Sequence, residues 1–337
     1  MRHTHILLGH GSGGRLTHEL ISRLFMQYFG PPEGGFFTDS ALIEAVAGDL
    51  AFTTDSFVVD PLFFPGADIG RLAVAGTIND LAVSGAQPLA LSAAFIIEEG
   101  LPMEILEKVV VSMAAEAKAA GVRIVAGDTK VVERGKADKL FITTSGIGRL
   151  MNEARGVAMA SDVKPGDRIV INGSIGDHGM AVMVARNQLN IKSNIVSDCA
   201  CLHELTQLAL NNGGIKFMRD ATRGGLAAVM AELCGKRSFG IDLFEENIPV
   251  SDSVRGMCEL LGFDPLHVAN EGKVVMVVSA DKATTLLQHL RAHPLGRHAE
   301  IIGEITDKHP SKIWLHTSVG GTRLLDLPAG EQLPRIC

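Results

Sequence analysis

The sequence is poor in cysteine, in aromatic residues and in positive charge, and each shortage excludes a class of protein. Five cysteines among 337 residues are too sparse for a disulfide framework, and their odd number fits a reducing compartment better. The net charge of −7 and the absence of a basic patch argue against nucleic-acid binding, which requires a basic stripe. No apolar run approaches the ~20 residues of a membrane span, and the start of the chain is too short in apolar residues for a signal peptide. We therefore expect a cytoplasmic protein that binds neither nucleic acid nor membrane.

What is present indicates two α/β domains. The chain exceeds the length of one typical hydrophobic core, and 46% hydrophobic residues can fill large cores. The low aromatic share and 37 glycines are typical of a fold rich in tight turns. A change in composition near 151–163 separates a first domain, residues 1–155, from a second domain, residues 156–322. Residues 323–337 form a tail.

Helical and strand periods alternate along the whole chain. Apolar positions recur on one helical face over 104–120, and Gly121 ends that helix. A buried strand is predicted over 122–126. Further strands are predicted over 139–147, 168–171, 215–218 and 273–279, and further helices over 180–186, 224–233, 253–261 and 282–292.

The last residue, Cys337, stands at the end of an extended segment. Pro328 and Pro334 forbid a regular helix or central strand there, and its final fourteen residues could reach roughly 45 Å when extended. A thiol on such a tether is not a core cysteine, which would be locked among neighbours on both sides. A travelling thiol and a frayed terminus that happens to end in cysteine both remain open on this evidence.

Four aspartates lie at positions suited to a Mg²⁺–nucleotide site. Asp55 and Asp128 are predicted to follow short strands, Asp80 to lie in a helix, and Asp220 to join a strand to a helix. Nearby glycines allow backbone N–H groups to approach phosphate. Each aspartate alone is more often a helix cap or turn residue. The glycine-rich segment 9–15 is a candidate phosphate-covering flap.

Several motifs together carry a specific resemblance that runs from Gly9 to the last residue. The motifs are the segments 9–15, 53–59, 64–70, 76–82, 127–132, 220–226, 270–272 and 334–337. Together they resemble the HypE family of hydrogenase maturation carbamoyl dehydratases, within the ATP-using superfamily of aminoimidazole ribonucleotide synthetase; Ala67, in place of an expected glycine, is a minor departure.

The resemblance implies a fold and a reaction. The fold would be an α/β (α+β), two-domain aminoimidazole ribonucleotide synthetase-like fold with a flexible C-terminal tail, dimerising through the N-terminal sheet. A carbamoyltransferase, HypF, would load a carbamoyl group onto Cys337, which the enzyme would dehydrate with ATP to a thiocyanate. The HypC–HypD complex would then carry the cyanide towards the iron of a [NiFe]-hydrogenase.

Spacing and family match together assign roles to individual residues. Mg²⁺ is assigned to Asp55, Asp80, Asp128 and Asp220. The nucleotide is assigned to these four aspartates and to Asn79, Gly127, Thr129, Lys130, Arg223, Gly224 and Gly225. Cys337, Lys130 and Glu271 are the catalytic candidates, and whether Lys130 or Glu271 is the base is left open. Without the resemblance, a surface lysine and a turn carboxylate are the likelier interpretations of those two.

Two other functions compete with this interpretation. A related kinase or synthetase would act on a free small molecule, although selenophosphate synthesis would require a reactive Cys or selenocysteine where the flap carries His10 and Ser12. A non-catalytic assembly protein would use the tail only as a docking peptide. Cys199, Cys201 and His203 could bind a soft metal, but a helix start without metal is favoured because leucines follow at helical spacing.

Overall fold

The structure is a computed structural model that describes residues 3–31, 40–44, 46–186, 193–235, 237–326 and 333–337. Residues 327–332 of the predicted tail lie outside the described part of the chain. Among the described residues, no helix has the length and apolar character needed to cross a bilayer.

The N-terminal domain is built on a four-stranded sheet. Its strands are β1 (Leu50–Phe57), β4 (Ala86–Glu98), β5 (Arg123–Val132) and β6 (Leu140–Leu150), and a small separate hairpin consists of β2 (Phe63–Phe64) and β3 (Ala67–Asp68). The order in the sheet is β1-β6-β4-β5. Strand β6 runs antiparallel to both β1 and β4, whereas β4 and β5 are parallel.

The helices of this domain begin with α1 (Arg15–Leu20), which continues as a π-helical turn (Ile21–Phe25) into α2 (Met26–Phe29). They are followed by α3 (Ile69–Val83) and α4 (Met103–Ala119).

The two faces of this sheet differ. Strand β1 alternates between exposed and half-buried residues, as expected when one face packs on a core and the other does not. The inner face packs on α3, a helix buried on nearly all sides. The outer face presents apolar side chains, with Phe52 73% and Ile96 44% exposed. This outer face lacks a partner among the described residues of the single chain.

The C-terminal domain is built on a seven-stranded sheet. Its strands are β7 (Arg168–Ile171), β8 (Ile215–Asp220), β9 (Gly240–Phe244), β10 (Val274–Val278), β11 (Glu300–Thr306), β12 (Ile313–His316) and β13 (Thr322–Leu324). The order in the sheet is β13-β12-β9-β11-β7-β10-β8, and neighbouring strands are antiparallel except for β12 and β9. All five residues of β10 are buried, which explains its run of valines and methionine.

The helices of this domain are α5 (Asp177–Ala185), α6 (His203–Asn212), α7 (Gly225–Cys234), α8 (Asp252–Leu261) and α9 (Ala280–Ala292).

One hydrophobic cluster joins the domains. It contains core residues of the N-terminal domain together with Met180 of α5, Val254 of α8 and, from the tail, Leu333 and Ile336. The end of the chain is therefore part of the packing between the two halves of the molecule.

Most predicted elements are present, but two strand boundaries are wrong. The helix predicted over 104–120 is α4, and the strand predicted over 168–171 is β7. In contrast, Asp55 and Asp128 do not follow strands: they lie within β1 and β5. Gly127 allows two strands to approach closely, because a Cβ there would lie 2.5 Å from the carbonyl oxygen of Ala93.

Candidate active site

Two aspartates of the N-terminal domain meet between β1 and α3. Asp55 lies on the inner face of β1, and Asp80 lies near the end of α3, where its Oδ2 accepts a hydrogen bond of 2.7 Å from Thr53 Oγ1. The helix can lie this close because a Cβ on Gly76 would be only 3.0 Å from the ring of Phe57. Burial raises the pKa of both carboxyl groups, and the charge of Asp80 raises the pKa of Asp55 further.

The C-terminal domain brings two more carboxyl groups to the same place. Asp220 ends β8 and is 9% exposed; burial, followed by the charge of Asp80, raises its pKa to about 7. Glu271, 3% exposed, lies in the loop before β10. Burial raises its pKa well above the ordinary value, and Asp220 and other carboxylates add to this shift. Two carboxyl groups from each domain thus share one buried environment.

This set of oxygen donors fits Mg²⁺. Carboxylates placed near one another out of water raise each other's pKa, a destabilisation that a bound cation relieves. Mg²⁺ takes one or two carboxylates together with water and phosphate oxygens rather than a complete protein cage. The described residues contain no group of three ligating side chains already arranged around a metal position.

The turn after Asp220 places cations and free backbone beside the carboxylates. The charges of Arg223 and Arg219 lower the pKa of Asp55 and Asp80, respectively, against the larger effect of burial. Gly224 and Gly225 both have positive φ, +76° and +61°. A Cβ on Gly225 would lie 2.6 Å from two backbone carbonyl oxygens, so only glycine fits at this start of α7. The predicted assembly of Asp55, Asp80, Asp220 and Arg223 is therefore present as a spatial group.

The residues predicted on β5 lie elsewhere in the single chain. Asp128 is on the outer face of the sheet, opposite to Asp55, and three strand spacings, or about 14 Å, separate β5 from β1. Its Oδ1 accepts hydrogen bonds from Lys130 Nζ at 2.7 Å and from the Thr129 N–H at 2.8 Å. These contacts, led by the one with Lys130, lower the pKa of Asp128. Gly127 lies beside them on the same edge strand.

The predicted glycine-rich flap packs against the same strand. Residues Leu8–Gly11 form a 3₁₀ turn, and a Cβ on Gly11 would lie 2.4 Å from the backbone nitrogen of Val131. The flap therefore lies near the predicted residues of β5.

Asn79 and Asp198 fix the loop that carries Glu271. The Asn79 side chain, 1% exposed, donates to the carbonyl oxygens of Ala200 and Glu271 and accepts from the Leu202 N–H. It therefore joins α3 to the C-terminal domain, and the nucleotide contact predicted for it stays a prediction.

Buried Asp198 completes the support of this loop. It accepts from the backbone N–H groups of Glu271 at 3.1 Å and Gly272 at 3.0 Å, and from Lys273 Nζ at 2.9 Å. Sequence reasoning missed Asp198 because these partners are at least 73 residues away and its own neighbours form no motif.

The described end of the tail lies in the cleft between the domains. The carbonyl oxygen of Cys337 accepts a 3.0 Å hydrogen bond from the Val58 N–H, and that of Arg335 accepts one of 3.3 Å from Asp60. Ile336 is 3% exposed. Since Val58 follows Asp55 by three residues, the terminal residue lies along the continuation of the strand that supplies the first carboxylate.

The other four cysteines are placed where thiolates are disfavoured. Burial raises the pKa of Cys234 and Cys258 to about 11 each, and raises those of Cys199 and Cys201 as well. Cys201 Sγ donates to Glu116 Oε1 at 3.3 Å. Because the thiolate is the nucleophilic form, Cys337 is the better candidate for covalent chemistry.

Comparison with known proteins agrees with this architecture. Residues 38–150 match the family model "AIR synthase related protein, N-terminal domain", and residues 164–316 match "AIR synthase related protein, C-terminal domain". The carbamoyl dehydratase HypE of Bradyrhizobium diazoefficiens is 50% identical over 333 residues, covering 98% of this chain and 95% of that protein.

Two solved structures are also similar. A hydrogenase maturation protein HypE in complex with ATP has a TM-score of 0.93 and 46% identity, and the alignment covers 98% of this chain and 99% of that one. A HypE–HypF complex has a TM-score of 0.79 and 47% identity, covering 94% of this chain and 100% of that one.

Proposed function

Because the chain belongs to the HypE family of carbamoyl dehydratases, we propose that it uses ATP to dehydrate a carbamoyl group carried on Cys337. The product is a thiocyanate on the same sulfur, which supplies the cyanide ligand for the iron of a [NiFe]-hydrogenase. The observation that carries the proposal is the position of Cys337 beside Val58, about 10 Å along the chain direction from Asp55.

The reaction requires one oxygen and two protons to leave the carbamoyl group. Transfer of the ATP γ-phosphoryl group to the carbamoyl oxygen makes phosphate the leaving group when the C–O bond breaks. Loss of both N–H protons leaves a carbon–nitrogen triple bond, with ADP and phosphate as the other products. A base must stand at the nitrogen.

Glu271 is the better candidate for that base within one chain. It is buried, and it shares its environment with Asp220 and Asp80. Its raised pKa makes the carboxylate a stronger base once it is ionised. Lys130 is 62% exposed and is paired with Asp128 on the outer face of the sheet. We assign proton removal to Glu271 and charge neutralisation to Lys130.

The acidic group would hold Mg²⁺ through Asp55, Asp80 and Asp220. When bound, the ion supplies neutralisation of the phosphate charge. Arg223 and the glycine turn at 224–225 would contact the nucleotide, because they border the carboxylates and leave backbone accessible at the start of α7.

The outer face of the N-terminal sheet would form a homodimer. Phe52 and Ile96 are exposed there, and pairing with a second copy would cover them. Asp128 and Lys130 lie on this face, so a contribution from them to a nucleotide site depends on that pairing.

We propose HypF as the carbamoyl donor and the HypC–HypD complex as the cyanide acceptor. A relative of this chain has been crystallised with HypF, and a carrier thiol at the chain terminus can be presented to a second protein without domain motion. The five cysteines, none of which forms a disulfide among the described residues, fit a reducing cytoplasm.

Intact mass spectrometry tests the proposal. After incubation with ATP, Mg²⁺, carbamoyl phosphate and HypF, the protein should gain a carbamoyl group and then lose one water, and the adduct should map to Cys337. The Cys337→Ala variant should bind ATP but never gain the adduct. A kinase acting on a free substrate would hydrolyse ATP without Cys337, and a docking protein would not hydrolyse it at all; either result would overturn the proposal.

A further inference from the structure

Two side chains at the ends of α5 hold the main chain of the last residues. Arg186, directly after the helix, donates from Nη2 to the carbonyl oxygens of Pro334 at 2.7 Å and Arg335 at 2.8 Å. His178, in the first turn, is bonded through Nε2 to the carbonyl oxygen of Ile336 at 2.8 Å. Three consecutive peptide carbonyls are thus bound by side chains, through contacts that do not depend on the identity of the tail's side chains there.

The partners of His178 define its protonation state. A carbonyl oxygen can only accept, so Nε2 of His178 carries a proton towards Ile336. Burial lowers the pKa of His178, which is fully buried, and the ring is therefore neutral. Its Nδ1, 2.8 Å from Ser197 Oγ, must then accept from that hydroxyl group. Ser197 Oγ in turn accepts from the Cys199 N–H at 3.1 Å, so each hydrogen bond in this series has one defined direction.

The same short segment, 197–199, supports the loop of the proposed base. Asp198, next to Ser197, accepts from the backbone N–H groups of Glu271 and Gly272. The Ala200 N–H donates to the carbonyl oxygen of Glu271 at 3.3 Å. The group that binds the last tail carbonyl and the loop that carries Glu271 therefore share one support.

The tail is held from the other domain as well. Arg186 Nε donates to the carbonyl oxygen of Asp60 at 2.9 Å, and the Val58 N–H donates to Cys337. Leu333 and Ile336 are 8% and 3% exposed within the interdomain cluster. Apolar anchoring thus supplies affinity for the tail, while the hydrogen bonds set its register along Val58 and Asp60.

We propose that His178 is a positioning residue for Cys337, and that it forms with Arg186 a clamp on the tail main chain. The clamp fixes the peptide immediately before the terminal cysteine and, through Ser197 and Asp198, keeps it in register with Glu271. Its role in dehydration rests on the proposed function, whereas its role in holding the tail does not.

Digestion of the native, ligand-free chain with a serine carboxypeptidase, followed by intact mass, measures the hold on the tail. The protease needs the last residues free, so the trimming rate follows the fraction of chains with an undocked tail. His178→Leu and Arg186→Met should each accelerate trimming on the order of tenfold, because each removes side-chain hydrogen bonds that hold carbonyl oxygens of the docked tail. His178→Gln should restore the parent rate, since its amide nitrogen can replace Nε2 as donor. Arg291→Met, which removes an arginine bond to the Ala299 carbonyl at the end of α9, should leave the rate unchanged.

Iodoacetamide labelling of Cys199, Cys234 and Cys258 separates loss of the clamp from loss of the fold. A clamp variant should keep these buried thiols unlabelled while its tail is trimmed faster. If the thiols become labelled in His178→Leu, that variant has lost its fold, and the trimming rate of Arg186→Met then tests the clamp. Trimming of Arg186→Met at the parent rate, with those thiols protected, would overturn the proposal. The proposal would also be overturned if His178→Gln were trimmed as fast as a His178→Leu variant whose buried thiols remain protected.

A second readout ties the clamp to chemistry. With carbamoylated chain and ATP, the rate of water loss should fall in His178→Leu and recover in His178→Gln, at unchanged ATP affinity. If the variants are trimmed faster but the parent chain never loses water, the clamp is supported and the proposed function is refuted. Faster trimming with unaltered water loss in His178→Leu would refute the positioning role.

Discussion

The charge of Asp80, on α3 of the N-terminal domain, raises the pKa of Asp220, which ends β8 in the C-terminal domain. Each of these two carboxyl groups therefore has the other domain's carboxyl group as its neighbour. The acidic site exists only when the two domains are packed together, and the repulsion between its carboxylates depends on pH.

Asp220→Asn should remove the pH dependence of stability that comes from this carboxyl group. Its pKa is about 7 in the folded chain against an ordinary value of 3.8, so between these values the folded state binds the proton more tightly than the unfolded state does. Stability from this group is thus present below about pH 4 and is lost as pH rises through 7. We expect the variant to gain at most about 4 kcal/mol over the parent at pH 8, and the difference to close towards pH 4.

Urea unfolding of the ligand-free proteins from pH 4.5 to 8 measures this difference. Asp162→Asn, at an exposed position, is the control and should leave the curve unchanged. Parallel curves for the parent and Asp220→Asn across the range would contradict the prediction.

Asp80→Ala and Asp128→Ala should remove ATP hydrolysis while the fold persists. Asp80 is proposed to hold the metal, and Asp128 to contribute to a nucleotide site through the pairing of two copies, so losing either carboxylate should lower the rate on the order of 100-fold or more. The assay is phosphate release in the presence of Mg²⁺, HypF and carbamoyl phosphate, with circular dichroism as the check on folding. Asp281→Ala, an exposed position in α9, should hydrolyse ATP normally. Parent rates in either site variant would show that its assignment is wrong.

Phe52→Glu should prevent self-association. The side chain is 73% exposed on the outer sheet face, and a carboxylate there would meet its copy or apolar surface in a paired interface. Light scattering at micromolar concentration should show a dimer for the parent and a monomer for the variant. Val319→Glu, at a 92% exposed residue, should remain dimeric. A monomeric parent would refute the proposed interface.

An affinity tag added after Cys337 should impair dehydration more than ATP binding. The terminal residue occupies the cleft beside Val58, so additional chain must pass through that space before the thiol can lie in the same position. Calorimetric ATP titration and intact mass of the tagged chain measure the two effects, and the same tag at the N terminus is the control. Equal dehydration rates for the two tagged chains would be inconsistent with a closed position for the thiol.

The sequence predicted local elements well because each carries its own periodicity. The helix α4 follows from apolar spacing, and β7 from a short valine and isoleucine run beside a turn. The turn at Gly224 and Gly225 followed from glycine content, and it borders Asp220 as predicted. These features depend on neighbours a few residues apart in the chain.

Features that depend on distant partners could not be predicted from the sequence. The face on which Asp128 lies follows from strand register, which a one-residue shift reverses. Asp128 was predicted to follow a strand, whereas β5 continues through it to Val132 and Gly127 packs against β4. The environment of His178 depends on Ile336, 158 residues away, and no local pattern marks a histidine as a buried donor.

The order of synthesis gives the tail dock a further meaning. Val58 and His178 are made long before Cys337, so both domains can begin to fold before residues 333–337 are available. The contact between His178 and Ile336 joins residues that lie 158 positions apart in the chain. Docking of the tail is therefore a late step in folding, and it completes the hydrophobic cluster between the two domains.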